Sequence, residues 1–336
     1  MKLRSLLMTL ALTGMASVAT AVEWQTLPNK APEPADNPTT PEKVALGQML
    51  YHDPRLSSTG TVSCASCHNT MLGGDDNRMV SVGVNAQTGG RSAPTVWNAA
   101  FNAVQFWDGR AASLEEQAAG PVTNPIEMGM KNWDDVVARL KTIKGYQEAF
   151  EKAFGPNSLN KDNATKAIAA YERTLITPNS PYDRYVKGDE AALTEQQVRG
   201  MKLFAEVGCA GCHSGPAFNG TGGFVKFPMI KNGYFEAQYQ FSKDKGRAEV
   251  TKKAEDENTW KVPTLRNIAL TAPYFHNGSV KTLDKAVKVM GKLQLGRELT
   301  DEQVSDLVAF LNALTGEFPQ QTMPHLPGTP GVTLNP

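Results

Sequence analysis

The chain has 336 residues, room for one large domain or two to three ordinary ones, and its 34 Lys+Arg balance 34 Asp+Glu. A net charge of zero argues against a broad basic face for nucleic acid and against a long acidic tail. With 40% hydrophobic and 20% charged residues the composition is that of a folded globular protein, and four cysteines are too few to staple it.

Residues 1–21 carry Lys2 and Arg4, then an apolar run from Leu6 to Leu12, then Ala19-Thr20-Ala21. That order predicts a signal peptide rather than a membrane anchor. No later segment reaches about 18 consecutive apolar residues, so no membrane span is expected. The mature chain is expected to be exported to the periplasm and to begin near Val22.

Export places the cysteines in an oxidising space, where a CxxC pair could be a plain disulfide. Here they read Cys64-Ala65-Ser66-Cys67-His68 and Cys209-Ala210-Gly211-Cys212-His213. CxxCH is the pattern of c-type haem attachment: two thiols add across the haem vinyl groups and the adjacent His becomes the proximal iron ligand. A zinc site, a redox dithiol or two short disulfides would not require the His twice. Two covalent haem c groups are predicted.

The surroundings repeat as well. Gly47-Gln48-Met49-Leu50-Tyr51 precedes the first motif and Gly200-Met201-Lys202-Leu203-Phe204 the second. Thr194-Glu195-Gln196-Gln197 predicts a capping box opening the latter helix. Thr300-Asp301-Glu302-Gln303 predicts another, before Val304, Leu307, Val308, Leu311 and Leu314 at helical spacing. Within residues 161–176, Ala167, Ile168, Tyr171 and Leu175 repeat that closing helix. Helix, CxxCH, long loops and closing helix are the plan of a small cytochrome c domain, and the chain holds two. The expected organisation is mainly α: residues 22–186 and 187–320 as two cytochrome c-type domains, and 321–336 as a Pro-rich tail. The break at Thr177-Pro178-Asn179-Ser180-Pro181 leads up to the boundary.

The sixth iron ligand of such a domain is expected from the loop before its last helix. After His213 stand Met229 and Met290, and Met290, just upstream of the capping Thr300, is the better placed. His/Met ligation makes a closed electron-transfer haem. The first half offers Met71, Met79, Met128 and Met130 but no histidine between His68 and the closing helix. Instead it holds Asn124-Pro125-Ile126-Glu127-Met128-Gly129-Met130, a carboxylate among apolar residues. Beside an open haem such a group could serve as the acid-base residue of peroxide cleavage.

Further motifs resemble the bacterial dihaem cytochrome c peroxidase family over essentially the whole mature chain. They are Ala93-Pro94-Thr95-Val96, Gln105-Phe106-Trp107-Asp108-Gly109-Arg110, Gln117-Ala118-Ala119-Gly120-Pro121, Val262-Pro263-Thr264-Leu265-Arg266-Asn267 and Pro273-Tyr274-Phe275-His276-Asn277-Gly278. The resemblance implies two cytochrome c domains packed face to face, usually as a homodimer. It implies a low-potential peroxidatic first haem and a high-potential second haem where electrons enter. Glu127 matches the catalytic carboxylate, Gln117 and Pro121 residues lining its pocket, Trp107 the tryptophan between the haems, and Met290 the distal ligand. The implied reaction is reduction of hydrogen peroxide to water by a small periplasmic donor, a cytochrome c or cupredoxin. A calcium ion between the domains is also implied, with ligands at Ser92 and the carbonyls of Thr271 and Pro273.

Two departures stand out. Ser92 replaces the usual Asn at its calcium position. Many relatives close the first haem at rest with a histidine, whereas the matching run here is Ser81-Val82-Gly83-Val84-Asn85. Two other readings remain open: a peroxide-dependent oxidase of a partner protein, which in that family carries tyrosine where Met290 stands, and a non-enzymatic dihaem electron carrier.

Overall fold

The structure, a computed structural model, describes residues 22–329; the expected signal peptide and the end of the tail, 330–336, lie outside it. The first half contains α1 (Pro41–His52), α2 (Cys64–Cys67), α3 (Leu114–Thr123), α4 (Trp133–Lys141), α5 (Lys144–Phe154) and α6 (Lys161–Glu172). The second contains α7 (Pro181–Val186), α8 (Glu195–Glu206), β1 (Phe224–Lys226), α9 (Gly233–Tyr239), α10 (Ala248–Thr251), β2 (Thr259–Lys261), α11 (Leu283–Leu295) and α12 (Asp301–Asn312). The short strands β1 and β2 pair antiparallel, Val225 opposite Trp260. The fold is mainly α, as its local patterns predict.

Each half is organised on one helix crossing. Gly47 of α1 lies against α6 so closely that a Cβ there would stand 1.9 Å from the Ala167 carbonyl oxygen. Gly200 of α8 meets α12 in the same way, 1.9 Å from the Asp306 oxygen. One turn on from each glycine an aromatic ring packs edge-on across the crossing: Tyr51 on Tyr171 at 5.2 Å, Phe204 on Phe310 at 5.4 Å. Both capping boxes are formed, Thr194 with Gln197 and Thr300 with Gln303. The glycine in each repeated motif is therefore a packing requirement, since any side chain would part the helices.

The termini cross between the halves. Trp24 packs its ring against Tyr182 and Phe310 at 6.1 Å, inside the second core, while the Leu27 N–H donates to Asp183. The tail straps the first half: Phe318 meets Trp97 at 4.8 Å, and Gln48 and Arg55 donate to the carbonyls of Thr322 and Pro327. Helix α7, just before the expected boundary at 187, contributes Tyr182 to the second core.

A second repeat takes shape in three dimensions. Residues 93–98 and 262–267 take equivalent paths, each ending in a left-handed asparagine, Asn98 at φ 62° and Asn267 at φ 59°. The turns that follow are also equivalent: Gln105 bridges Ala111 as Tyr274 bridges Val280, with Phe106 and Phe275 both at positive φ. This places Trp107 and His276 in corresponding positions, with their rings 6.4 Å apart.

Candidate active site

Both attachment motifs fold alike. The N–H of His68 donates to Cys64 O, and that of His213 to Cys209 O, each at 2.9 Å, closing one tight turn. The four thiols are unbridged. Burial pushes the Cys64 and Cys209 thiols up to about 12, an environment for neutral sulfur rather than for the thiolates of a zinc site. Burial also lowers both histidines, which favours the neutral imidazole. The ring Nδ1 of His68 lies 2.9 Å from Pro94 O and that of His213 3.1 Å from Phe218 O. A carbonyl at Nδ1 fixes the tautomer and leaves Nε2 free to ligate iron. The residues fit a covalent haem at each motif.

The second motif opens onto an apolar crevice lined by Cys209, Cys212, His213, Leu307 and Met290. Met290 comes from helix α11, not from a loop, because residues 283–295 form a helix that buries Ala286, Val289 and Leu293. Met229 is 56% exposed and does not line the crevice. Trp107, His276 and Lys261 line it as well. The indole N–H of Trp107 donates to Ser92 O at 2.9 Å. His276 stacks on Trp260 at 4.0 Å, and burial lowers it to about 4, a neutral ring.

On the first side, α3 carries Gln117 and Pro121 four residues apart, hence on one face. The chain then folds back on the helix end: Met128 N–H donates to Pro121 O and Met130 N–H to Val122 O. This return presents Glu127 half-buried, with Asn124 Nδ2 donating to its Oε1 at 2.7 Å. Desolvation raises the Glu127 carboxyl above its ordinary range, against the opposing pull of Arg110 and the Asn124 hydrogen bond. Glu127 is near enough to act electrostatically on both Cys64 and Cys67. Asn124 was legible as an Asn-x-x-Glu spacing; Arg110 was not, because it comes from a different loop.

The loop that carries the closing histidine in many relatives is docked on Glu127. Val84 N–H donates to Glu127 O at 2.9 Å, and Gly83 abuts Ile126 O, where a Cβ would come within 2.1 Å. Val84 is buried in the first core with Met128 and Met130, while Met71 and Met79 are exposed. Position 84 is an apolar wall.

Ser92, Thr271 and Pro273 also line the same crevice. The carbonyls of Thr271 and Pro273 accept no hydrogen bond among the described residues. Asp75 is beside them: a Cβ on Gly73 would meet Leu270 O at 2.6 Å, the Thr271 methyl at 2.9 Å and Asp75 Oδ1 at 3.0 Å. Burial raises Asp75 to about 7. Free carbonyls, a hydroxyl and a nearby carboxylate are hard oxygen donors of the kind calcium takes.

Comparison with known proteins agrees with this geometry. Residues 41–191 match the di-haem cytochrome c peroxidase family and residues 197–315 match cytochrome c. The chain is 48% identical to the cytochrome c peroxidase Ccp of Escherichia coli over 90% of its own length, spanning 64% of that longer protein. It is 45% identical to the cytochrome c551 peroxidase of Nitrosomonas europaea, covering 88% of this chain and 86% of that one. Among solved structures, a MauG-like protein associated with microbial copper homeostasis superposes with a TM-score of 0.77 at 30% identity, covering 88% and 96% of the two chains. With one haem-attachment turn in each half and relatives of this kind along its length, the chain belongs to the bacterial dihaem cytochrome c peroxidase family and is an enzyme with two haem c groups.

Proposed function

We propose that the protein reduces hydrogen peroxide to two waters, consuming two electrons from a small redox protein and two protons. The observation that carries this reading is the Glu127 carboxyl, desolvated, raised and held by one oxygen only. A haem held at His68 would supply the redox-active iron through which the donor's electrons reach peroxide. The protein supplies the proton chemistry. Asn124 occupies Oε1, so Oε2 is free to take a proton from one peroxide oxygen and return it to the other, letting water leave instead of hydroxide. Gln117 and Pro121, on the α3 face behind it, shape the pocket. His68, fixed through Pro94 O, keeps its imidazole directed at the metal.

His213 and Met290 hold the second haem, and Trp107, lining its crevice, lies on the electron route to the first. Calcium at Ser92, Thr271 and Pro273 would brace the junction through which that route passes. The donor is a cytochrome c or cupredoxin, the working form a homodimer and the location the periplasm. No helix of the described residues is long and apolar enough to cross a membrane.

Met290 favours this reading over the partner-protein oxidase, and the prepared Glu127 favours it over a simple electron carrier. Peroxide turnover with a reduced small cytochrome is the test. Rapid oxidation of the donor, together with carbon monoxide binding at one haem only, is expected. Two haems that both refuse carbon monoxide would leave an electron carrier.

A further inference from the structure

Among the described residues, the buried and half-buried arginines and Lys43 have partners. Arg266 is bidentate on Asp183, Arg91 pairs with Asp108 and Asp244, Arg55 with Asp53, and Lys43 donates to Asn37 and Pro38. Lys261 is the exception. It is 7% exposed, and its amine has no hydrogen-bond or ion-pair partner among the described residues. Its backbone N–H is fixed on Trp107 O at 2.9 Å, in the same relation that Ser92 N–H bears to His276 O. Holding an ammonium in such apolar surroundings without a counter-charge is unfavourable. Desolvation alone drives this amine down to about 8.

Lys261 lines the second crevice and is the one Lys or Arg that does so among the described residues. A haem c held by its vinyl edge on Cys209 and Cys212 carries two propionate carboxylates on the opposite edge of the ring. In a crevice that is largely apolar and offers no other Lys or Arg among the described residues, those carboxylates need a cation as much as the lysine needs an anion.

We propose that Lys261 forms an ion pair with a propionate of the second haem beside Trp107, and that this pair helps set the potential of that haem. The proposal rests on the reading that His213 and Met290 hold a haem in this crevice. An unpaired carboxylate at the porphyrin edge stabilises ferric iron, and an ammonium on it cancels that effect. Lysine in this place therefore favours the reduced state of the haem that receives electrons.

The test is a spectroelectrochemical titration of the haem-loaded protein and its Lys261→Met, Lys261→Gln and Lys261→Arg variants. Met and Gln should lower the ferrous-to-ferric ratio of the second haem about tenfold at fixed potential, 59 mV for a one-electron couple. Arg, which keeps the charge, should stay within about a factor of two. An unchanged potential in Lys261→Met with both haems attached overturns the proposal. Should the Met variant not load haem, equal potentials in the Gln and Arg variants overturn it instead. Met290→Ala is measured alongside. A shift there with none at Lys261 removes only the ion pair; no shift at Met290 removes the ligand reading beneath it.

Discussion

Asn98 and Asn267, from opposite halves of the chain, both donate their side-chain amides to the hydroxyl oxygen of Thr177, each at 2.8 Å. Thr177 is fully buried, and its own N–H donates back to Asn98 Oδ1 at 2.9 Å. The two equivalent left-handed asparagines thus converge on one residue at the junction of the halves. Asn98 lies four residues after Pro94, whose carbonyl faces His68 Nδ1 at 2.9 Å.

Thr177→Val keeps the shape and removes the shared acceptor. Two buried amides then lose a partner, at about 1–3 kcal/mol each. Chemical denaturation should show a lower midpoint with an unchanged slope. A loss below about 0.5 kcal/mol would mean that other groups accept these amides.

Gly47→Ala and Gly200→Ala each drive a methyl to within 1.9 Å of a backbone oxygen on the facing helix. The helices must separate, at a cost of about 3 kcal/mol or more for overpacking that no rotamer can relieve. Thermal melting of the haem-loaded variants should show a clear fall in Tm. An unchanged Tm in either would contradict the crossing.

Glu127→Gln should retain both haems and their reduction while slowing peroxide turnover by about 10²–10⁴-fold, the usual contribution of an acid-base group. Turnover within a factor of about two of the parent protein would take Glu127 out of the proton chemistry.

Arg110 favours the charged form of Glu127, opposing the desolvation that raises it. Arg110→Gln removes that pull, so the carboxyl moves further up and is protonated at higher pH. Because the carboxylate must first accept a proton, the acid limb of the pH–rate profile should shift upward. The shift should shrink in high salt, since the Arg110 side chain is partly exposed. A profile that does not move would leave Arg110 without influence on the site.

With Val84 where many relatives carry a closing histidine, the oxidised protein should react with peroxide without prior reduction. Electron paramagnetic resonance of the fully oxidised protein should show one high-spin centre. Val84→His should convert it to low-spin and make the reaction wait for one electron, a population shift toward a closed state. Two low-spin signals in the unaltered protein, with no reaction until reduced, would show that another side chain closes the site.

Much of the site could be read from short stretches of sequence. The haem motifs, the capping boxes and the apolar run around Glu127 are patterns only a few residues long, and local geometry or covalent chemistry is enough to fix their meaning. The same holds for the helices that carry Gly47 and Gly200. Their repeated motifs announce the helices, although the reason for the glycine is visible only once the facing carbonyl is in place.

Local patterns along the chain specify two c-type attachment sites, a mainly helical frame repeated once, and a carboxylate in apolar surroundings near the first. The tertiary structure decided what stands next to what. It put Met290 on a helix, docked Val84 on the Glu127 backbone, wound the tail over the first half and left the Lys261 amine without a partner among the described residues. The physical reason is that burial and charge pairing depend on segments more than a hundred residues apart, such as Asp183 on Leu27 or Asn219 on Phe101. No window of sequence contains both members of such a pair, so the solvation of each becomes defined only when the chain closes on itself.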